Sequence, residues 1–139
     1  MTVINTRIRV QTRGSCDFID ITEQVARKVE DSGVEDGTVT VFVGGSTAAL
    51  TTIEYERGAL SDLEKMWERL VPRDIPYRHN ERWNDDNGYS HVRASLLGAS
   101  LVVPFVNKRL TLGTWQQIIL AEFDNRPRSR NIVLQIMGE

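Results

Sequence analysis

Apolar and polar residues alternate along residues 3–12, which predicts a β-strand with one buried face and one solvated face. Two later segments repeat their apolar positions at helical spacing. The first begins near Asp20 or Thr22 and ends at Gly33, and the second is stopped by Pro72. Runs rich in β-branched residues predict the remaining strands, at residues 38–43, 51–56, 100–106, 110–124 and 131–137.

Strands follow one another along most of the chain, with helices interspersed between them. This order predicts an α+β fold with a mainly antiparallel sheet and about three helices, in one domain that spans residues 1–139. The third helix is predicted at residues 92–97, before Gly98, and a strand is the alternative there. Asn107 and Lys108 are the predicted hairpin turn between two of the late strands.

Composition excludes several classes of protein. The formal net charge is −2 and the basic residues form no long block, so a nucleic-acid partner is not expected. Cys16 is the one cysteine, which leaves no intrachain disulfide and no thiolate metal site. No apolar run approaches the roughly 20 residues of a membrane helix. We therefore expect an unprocessed cytoplasmic protein without a membrane partner.

Residues 77–91 (YRHNERWNDDNGYSH) carry more candidate chemistry than any other stretch and include both histidines. We predict that this stretch forms one wall of an active site; the alternative is an ordinary polar loop, because turns favour Asn, Asp and Gly. The catalytic candidates are His79, His91 and Glu54. Because the DDNG segment can fold the chain back, His79 and His91 are expected to lie close together, with Glu54 or Asn87 near them.

Two cofactors are considered: a Zn²⁺-like ion at the two histidines, and a Mg²⁺ ion held by Asp85 or Asp86. Two imidazoles need a carboxylate as a third ligand for a Zn²⁺-like ion, and Asp86 is the candidate, with Asp85 and Glu54 as alternatives. A hydrogen-bonded or acid–base role for each histidine is an equally good interpretation.

Gly45, Ser46 and Thr47 follow a predicted strand and can turn backbone N–H groups and hydroxyls toward an anion. This predicts a phosphorylated ligand, although the signal is weaker than a P-loop because no lysine follows. Guanidinium groups match phosphate oxygens, so arginines are candidates for the same anion. The candidates are Arg128, Arg93, Arg109 and Arg130.

Several motifs extend over almost the whole chain, and they resemble the YjbQ-type family of secondary thiamine-phosphate synthases. They read VFVGGSTAALTTIEYERG, DLEKMWERLVP, YRHNERWNDDNGYSHVRASLLGASLVVP, RLTLGTWQQIILAEFDNRPRSR and MGE. The resemblance implies a compact α+β subunit, a homotrimer, and a polar pocket with histidines near the subunit interface. Its motifs also imply that Asn87, Trp115 and Gln116 contact the ligand.

The chain departs from the family pattern at two turns. The family usually has Pro-His-Thr-Thr where this chain has Gly44-Gly45-Ser46-Thr47, so the first family histidine is missing. Asn107-Lys108 replaces the usual Asp-Gly, which a slightly different turn can absorb.

The implied reaction joins hydroxymethylpyrimidine diphosphate to thiazole phosphate. It requires stabilisation of the departing pyrophosphate by arginines, hydroxyls or a Mg²⁺ ion, and an aromatic residue such as Trp115 to position a ring. The chain has no strong double-acidic diphosphate motif, which suggests that this activity is secondary. Two alternatives stay open: a non-catalytic trimer that binds a phosphorylated ligand, and a metal-dependent hydrolase that uses His79, His91 and a carboxylate.

Overall fold

A computed structural model describes residues 1–139, which form eight strands and four helices. The strands are β1 (Thr2–Gln11), β2 (Asp17–Asp20), β3 (Gly37–Val43), β4 (Ala48–Ile53), β5 (Ser100–Val106), β6 (Arg109–Leu110), β7 (Gln117–Glu122) and β8 (Ser129–Gly138). The helices are α1 (Thr22–Asp31), α2 (Arg57–Leu70), α3 (Arg78–Trp83) and α4 (Gly88–Leu97). No helix combines the length and the apolar character that a membrane crossing requires.

The strands form two sheets. The larger sheet has the order β1-β8-β3-β5-β6 and the smaller has the order β2-β7-β4. Neighbouring strands are antiparallel in both sheets. The α+β prediction with antiparallel strands is confirmed, but the strands are divided between two sheets instead of lying in one.

The main hydrophobic core lies between the inner faces of the two sheets. Alternate residues of β3 and β8, such as Val41 and Leu134, point into it and meet Leu120 from β7. Helix α1 adds Val25 and Val29, which are fully buried. Since the first strand pairs with β8 along its whole length, the alternation that predicted β1 reflects one face on this core and one in solvent.

Strand β7 is buried on both faces. Ile118 and Leu120 face the main core, while Ile119 and Ala121 face a second cluster that includes Trp67 of α2. This double burial explains the unbroken apolar run at the centre of β7. Through this second cluster, α2 and α4 pack against the outer face of the smaller sheet.

Three boundaries differ from the sequence-based prediction. The strand predicted at residues 110–124 is interrupted, because β6 pairs with β5 in the larger sheet while β7 is the centre of the smaller one. The strand predicted at residues 51–56 ends at Ile53, and Glu56 instead caps α2 by accepting hydrogen bonds from the N–H groups of Gly58 and Ala59. The helix predicted at residues 92–97 begins earlier, so that it includes His91.

The polar stretch at residues 77–91 is more regular than a loop. It contains α3 and the first turn of α4, joined by residues 84–87, where Asn84 and Asp86 have positive φ angles of 55° and 57°. The chain reverses direction there, because Asn and Asp tolerate this conformation better than most residues do. The fold therefore has four helices where about three were predicted.

Candidate functional site

A polar cleft of about 370 Å³ opens where β4 begins and β7 ends. It is bordered by the turn before β4, by α3 and α4, and by the segment between β7 and β8. Its lining residues are Gly45, Ser46, Thr47, His79, Trp83, Asp85, Asn87, His91, Asp124, Arg128 and Arg130. Nine of the candidate site residues meet in this cleft, although they come from distant parts of the sequence.

The two histidines form a close pair. The ring centroids of His79 and His91 lie 4.3 Å apart, with their planes inclined by 40°. Each imidazole is supplied by a different helix, and the reversal between α3 and α4 brings them together. The prediction that they lie close together, with Asn87 near them, is confirmed. On the other side of His79, the Asp85 Oδ1 atom is 3.6 Å from Nδ1, which is too long for a hydrogen bond.

The environment of His91 disfavours its charged form. Burial lowers the pKa of His91, and the neighbouring His79 lowers it further, while Asp124 and Asp85 act in the opposite direction. The net pKa is below the usual value of 6.5. The His91 imidazole is therefore neutral at pH 7 and can accept a proton or a hydrogen bond.

Asp124 is the centre of a buried hydrogen-bond network. Its Oδ1 accepts from Asn87 Nδ2 at 3.2 Å and from the Asn125 N–H at 2.8 Å. Its Oδ2 accepts from Thr47 Oγ1 at 3.0 Å and from Arg128 Nε at 2.9 Å. Burial alone would raise the pKa of Asp124, but these donors outweigh it and hold the pKa below its usual range. Asp124 is therefore an ionised carboxylate that fixes three residues of the cleft.

A second buried acid, Glu122, lies beneath the cleft. It accepts hydrogen bonds from Arg130 Nε at 2.8 Å and from Thr12 Oγ1 at 2.8 Å. Arg130 Nη2 also donates to Thr47 Oγ1 at 2.7 Å, which links the two acidic centres through the Thr47 hydroxyl. Because Thr47 is buried and its hydroxyl has partners on both sides, it supports the cleft wall and is not free to bind a ligand.

The backbone conformation and the surroundings of residue 45 both favour glycine. Its φ angle is +112°, a conformation that L side chains rarely adopt. A Cβ atom at this position would lie 2.9 Å from Arg130 Nη1. The guanidinium of Arg130 therefore occupies the space beside the residue at which the related family pattern has a histidine.

The formal charges of the cleft balance. Asp85 and Asp124 contribute −2, and Arg128 and Arg130 contribute +2, so the acidic and arginine side chains of the lining sum to zero. Each arginine is already paired with a buried carboxylate. The cleft is therefore strongly polar and rich in directed hydrogen-bonding groups, without the positive field of a general anion trap.

The predicted metal-ligand set of His79, His91 and Asp86 is not assembled. Asp86 does not line the cleft, and Asp85 is the acid that lies beside His79. No three His, Cys, Asp or Glu side chains of the chain converge in a geometry that could hold a metal ion. The residues present thus do not fit a site built from protein ligands for Zn²⁺.

Three other predicted residues lie away from the histidines. Glu54 follows the opposite end of β4, which is six residues long and places Glu54 roughly 20 Å from the cleft. Gln116 donates from Nε2 to Thr52 Oγ1 at 3.1 Å and lines a separate cleft of about 410 Å³ beside β5. Trp115, in the same loop, is 71% exposed. Glu54, Trp115 and Gln116 therefore cannot act together with His79 and His91 within one subunit.

The arginines divide in a similar way. Arg128 and Arg130 line the cleft, whereas Arg109 lies in β6 and is exposed. Arg93 is completely buried behind α2, where its guanidinium donates to the Val71 carbonyl at 2.8 Å and to Glu68 Oε1 at 3.1 Å. Its role is to join α2 to α4.

Asp124 and Trp83 are cleft residues that sequence reasoning missed. The predicted strand at residues 110–124 included Asp124, so its carboxylate was not considered as a site residue. An acid two residues beyond the buried strand β7 was the available signal, because a charge in that position must find buried partners. Trp83 gave no comparable signal.

Comparison with known proteins identifies the family to which the chain belongs. The family model described as UPF0047 protein YjbQ-like matches residues 6–139. A UPF0047 protein from Methanothermobacter thermautotrophicus is 42% identical over 139 residues, which cover 100% of this chain and 95% of the relative. UPF0047 protein YugU from Bacillus subtilis is 33% identical over 132 residues, 94% of this chain and 97% of the relative.

Solved structures share the same architecture. The crystal structure of a YbjQ-like protein of unknown function from Sulfolobus solfataricus aligns with a TM-score of 0.94 at 37% identity, covering 99% of each chain. A YjbQ/UPF0047 protein from Clostridium acetobutylicum aligns with a TM-score of 0.87 at 34% identity, covering 95% of this chain and 99% of the other. The fold is thus that of a compact α+β protein with two antiparallel sheets. The chain belongs to the UPF0047 (YjbQ-like) family.

Proposed function

We propose that the polar cleft binds a phosphorylated heterocycle and that the protein is a group-transfer enzyme of the thiamine-phosphate synthase type. The observation that carries this proposal is the close histidine pair, with the lowered pKa of His91, beside a buried and hydrogen-bonded carboxylate network. Such a network holds its side chains in fixed positions before a ligand arrives, which is what stabilisation of a developing charge requires.

The anionic part of the ligand would bind at the turn before β4. Ser46 is exposed there, and Arg130 Nη1 lies against the open backbone of Gly45. Arg128 is 34% exposed at its side chain and still faces solvent while paired with Asp124. Because both arginines are neutralised by acids, this anion site depends on directed hydrogen bonds more than on net charge.

In the proposed reaction, the bond between the pyrimidine methylene carbon and the diphosphate oxygen breaks. The diphosphate leaves with the electron pair, and the thiazole nitrogen supplies the pair for the new C–N bond. Arg128 and Arg130 would stabilise the departing charge, and His91 would accept a hydrogen bond or proton from the pyrimidine. Asp85 is the cleft carboxylate that could hold a diphosphate-bound Mg²⁺, an ion that needs few protein ligands when phosphates supply the others.

The test is formation of thiamine phosphate from hydroxymethylpyrimidine diphosphate and thiazole phosphate in the presence of Mg²⁺, measured by fluorescence after oxidation to the thiochrome. We expect turnover by the purified protein and a loss of about 100-fold or more in His91→Asn, the magnitude typical of a lost acid–base group. Lys65→Ala changes an exposed residue of α2 and is the matched control. Equal activity in His91→Asn and the control would contradict the proposed role of the histidine pair.

A non-catalytic binding protein is the second candidate, and a specific observation favours it. Gly45 stands where the related family pattern has a histidine, and the adjacent Arg130 is tied to Glu122. Binding of thiazole phosphate without any turnover, measured by calorimetry beside the activity assay, would support this candidate and overturn the enzyme.

We also propose that the protein assembles as a homotrimer, with the polar cleft near a subunit interface. Exposed apolar side chains support self-association: Leu96 is 64% exposed, Val102 58% and Trp115 71%. Multi-angle light scattering should give three times the 15.8 kDa chain mass. A monomer mass across micromolar concentrations would exclude the trimer.

A further inference from the structure

One buried acceptor in the polar cleft has no donor. Asn87 is only 4% exposed, and its Oδ1 atom makes no hydrogen bond. Asn87 is the residue before α4, where an asparagine side chain ordinarily accepts a hydrogen bond from the first turn of the helix. Here the side chain makes no such bond. The Asn87 Oδ1 atom therefore does not cap α4.

The contact with Asp124 determines which atom of the Asn87 amide has no hydrogen-bond partner. Asn87 Nδ2 donates to Asp124 Oδ1 at 3.2 Å, and the carboxylate has no proton to offer because the donors around it keep it ionised. The reverse orientation would set the amide oxygen against a carboxylate oxygen. The amide nitrogen therefore faces Asp124, and the oxygen is turned away from it.

We propose that Asn87 Oδ1 accepts a hydrogen bond from an N–H or O–H group of the bound ligand, and so selects ligands that carry a donor at this position. The inference rests on the proposed function, since it concerns the ligand of the same cleft. Asn87 lines the cleft together with His79 and His91, which places its side chain in the wall that a bound ring would contact. A ligand that closes the cleft over this buried oxygen without offering it a donor leaves the acceptor unsatisfied and loses affinity, so the oxygen selects between ligands.

The probes are hydroxymethylpyrimidine phosphate, which carries an exocyclic amino group, and the analogue in which a methyl group replaces that amino group. Dissociation constants are measured by calorimetry on the full chain, with NMR titration for weak binding. We expect the amino probe to bind about tenfold more tightly than the methyl probe, the ratio typical of one hydrogen bond.

Two variants test the acceptor. Asn87→Leu removes the acceptor oxygen and the bond to Asp124, whereas Asn87→Asp keeps an acceptor oxygen and replaces the amide donor with a proton that it must share with Asp124. We expect the affinity ratio to fall to about one in Asn87→Leu and to persist in Asn87→Asp, with Lys65→Ala unchanged. Because each ratio is measured within one folded variant, a general loss of stability does not imitate the result.

The outcomes distinguish the two proposals. Equal binding of both probes by the wild-type protein would overturn the role of Asn87 and leave the proposed ligand class standing. Binding of neither probe would overturn the role of Asn87 and the proposed function together. A tenfold ratio that survives in Asn87→Leu would assign donor recognition to another residue and overturn the inference.

Discussion

The two ends of the β4–β7 ladder contrast with each other. At the cleft end Ala48 pairs with Glu122, and at the far end Ile53 pairs with Gln117. Polar residues cluster at both ends and both had been candidates for function. At the cleft end Glu122 and Asp124 are fully buried and each has several hydrogen-bond partners, whereas Glu54 and Trp115 at the far end are exposed.

This difference teaches which polar residues the fold depends on. A buried charge is tolerable only when its partners are in place, so Glu122 and Asp124 depend on the side chains that donate to them. Exposed polar residues keep their hydration and can change independently. The cleft end should therefore respond strongly to single substitutions, and the far end should not.

The largest effect is expected from Arg130→Met, which leaves Glu122 as an unpaired buried carboxylate. We expect a loss of about 3–5 kcal/mol in the free energy of unfolding. Urea denaturation provides the measurement, with Glu54→Ala at the far end as the control, expected to change stability by less than about 0.5 kcal/mol. Similar losses in both variants would remove the contrast between the two ends.

Asp124→Asn should have the next largest effect, about 2–3 kcal/mol near pH 7, because it removes charge-assisted hydrogen bonds with little change in volume. The folded-state pKa of Asp124 is depressed, so its contribution is present above the unfolded value of about 4 and is lost as the pH falls through the folded pKa. The stability difference from wild type should therefore shrink as the pH falls below the unfolded value of about 4. A difference that stays constant over this range would contradict the depressed pKa.

Gly45→His tests whether the missing family histidine can be restored. Because Gly45 has φ of +112° and Arg130 lies against it, we expect a loss of about 1–2 kcal/mol and no gain in Zn²⁺ affinity. Gly44→Ala is the matched control, since a Cβ there meets nothing within 4 Å. Tighter Zn²⁺ binding by a stable Gly45→His protein, measured by calorimetry, would revive the metal-dependent hypothesis.

The smallest effect concerns the histidine pair itself. The folded-state pKa of His91 is depressed by burial and by His79, so protonation opposes folding as the pH falls below about 6.5. His79→Asn removes the neighbouring imidazole, and we expect the pKa of His91 to rise. NMR titration of the His91 ring protons measures this directly, and a pKa that is unchanged in the variant would mean that the two rings do not interact.

Local patterns predicted much of the fold. The alternation of β1 persisted in the structure because one face of the larger sheet packs on the core and the other faces solvent. The Asn107-Lys108 turn is also confirmed, since φ angles of 51° and 65° give the turn type that suits a two-residue hairpin. The long strand prediction at residues 110–124 was wrong because an apolar run does not reveal that its two halves pair in different sheets.

The candidate site was predicted in part for a similar reason. Closeness of His79 and His91 followed from a reversal within a short segment, so the sequence carried enough information. Glu54 and Gln116 were grouped with them although no local signal fixes the distance between separate segments. Asp124 was overlooked because two of its donors, Asn87 and Thr47, come from distant segments that only the folded chain brings together.

The sequence by itself determined the family, the α+β class, the alternation of β1 and the pairing of the histidines, since each depends on residues that are near neighbours or on motifs read in order. Only the tertiary structure decided that Asp124 and Glu122 are the buried acids at the cleft and that the Arg130 guanidinium lies against Gly45. It also decided which predicted residues lie outside the cleft. The physical reason is that a polar side chain is identical in the sequence whether it is solvated or buried. Its pKa, its partners and the cost of removing it are set by the segments that pack around it.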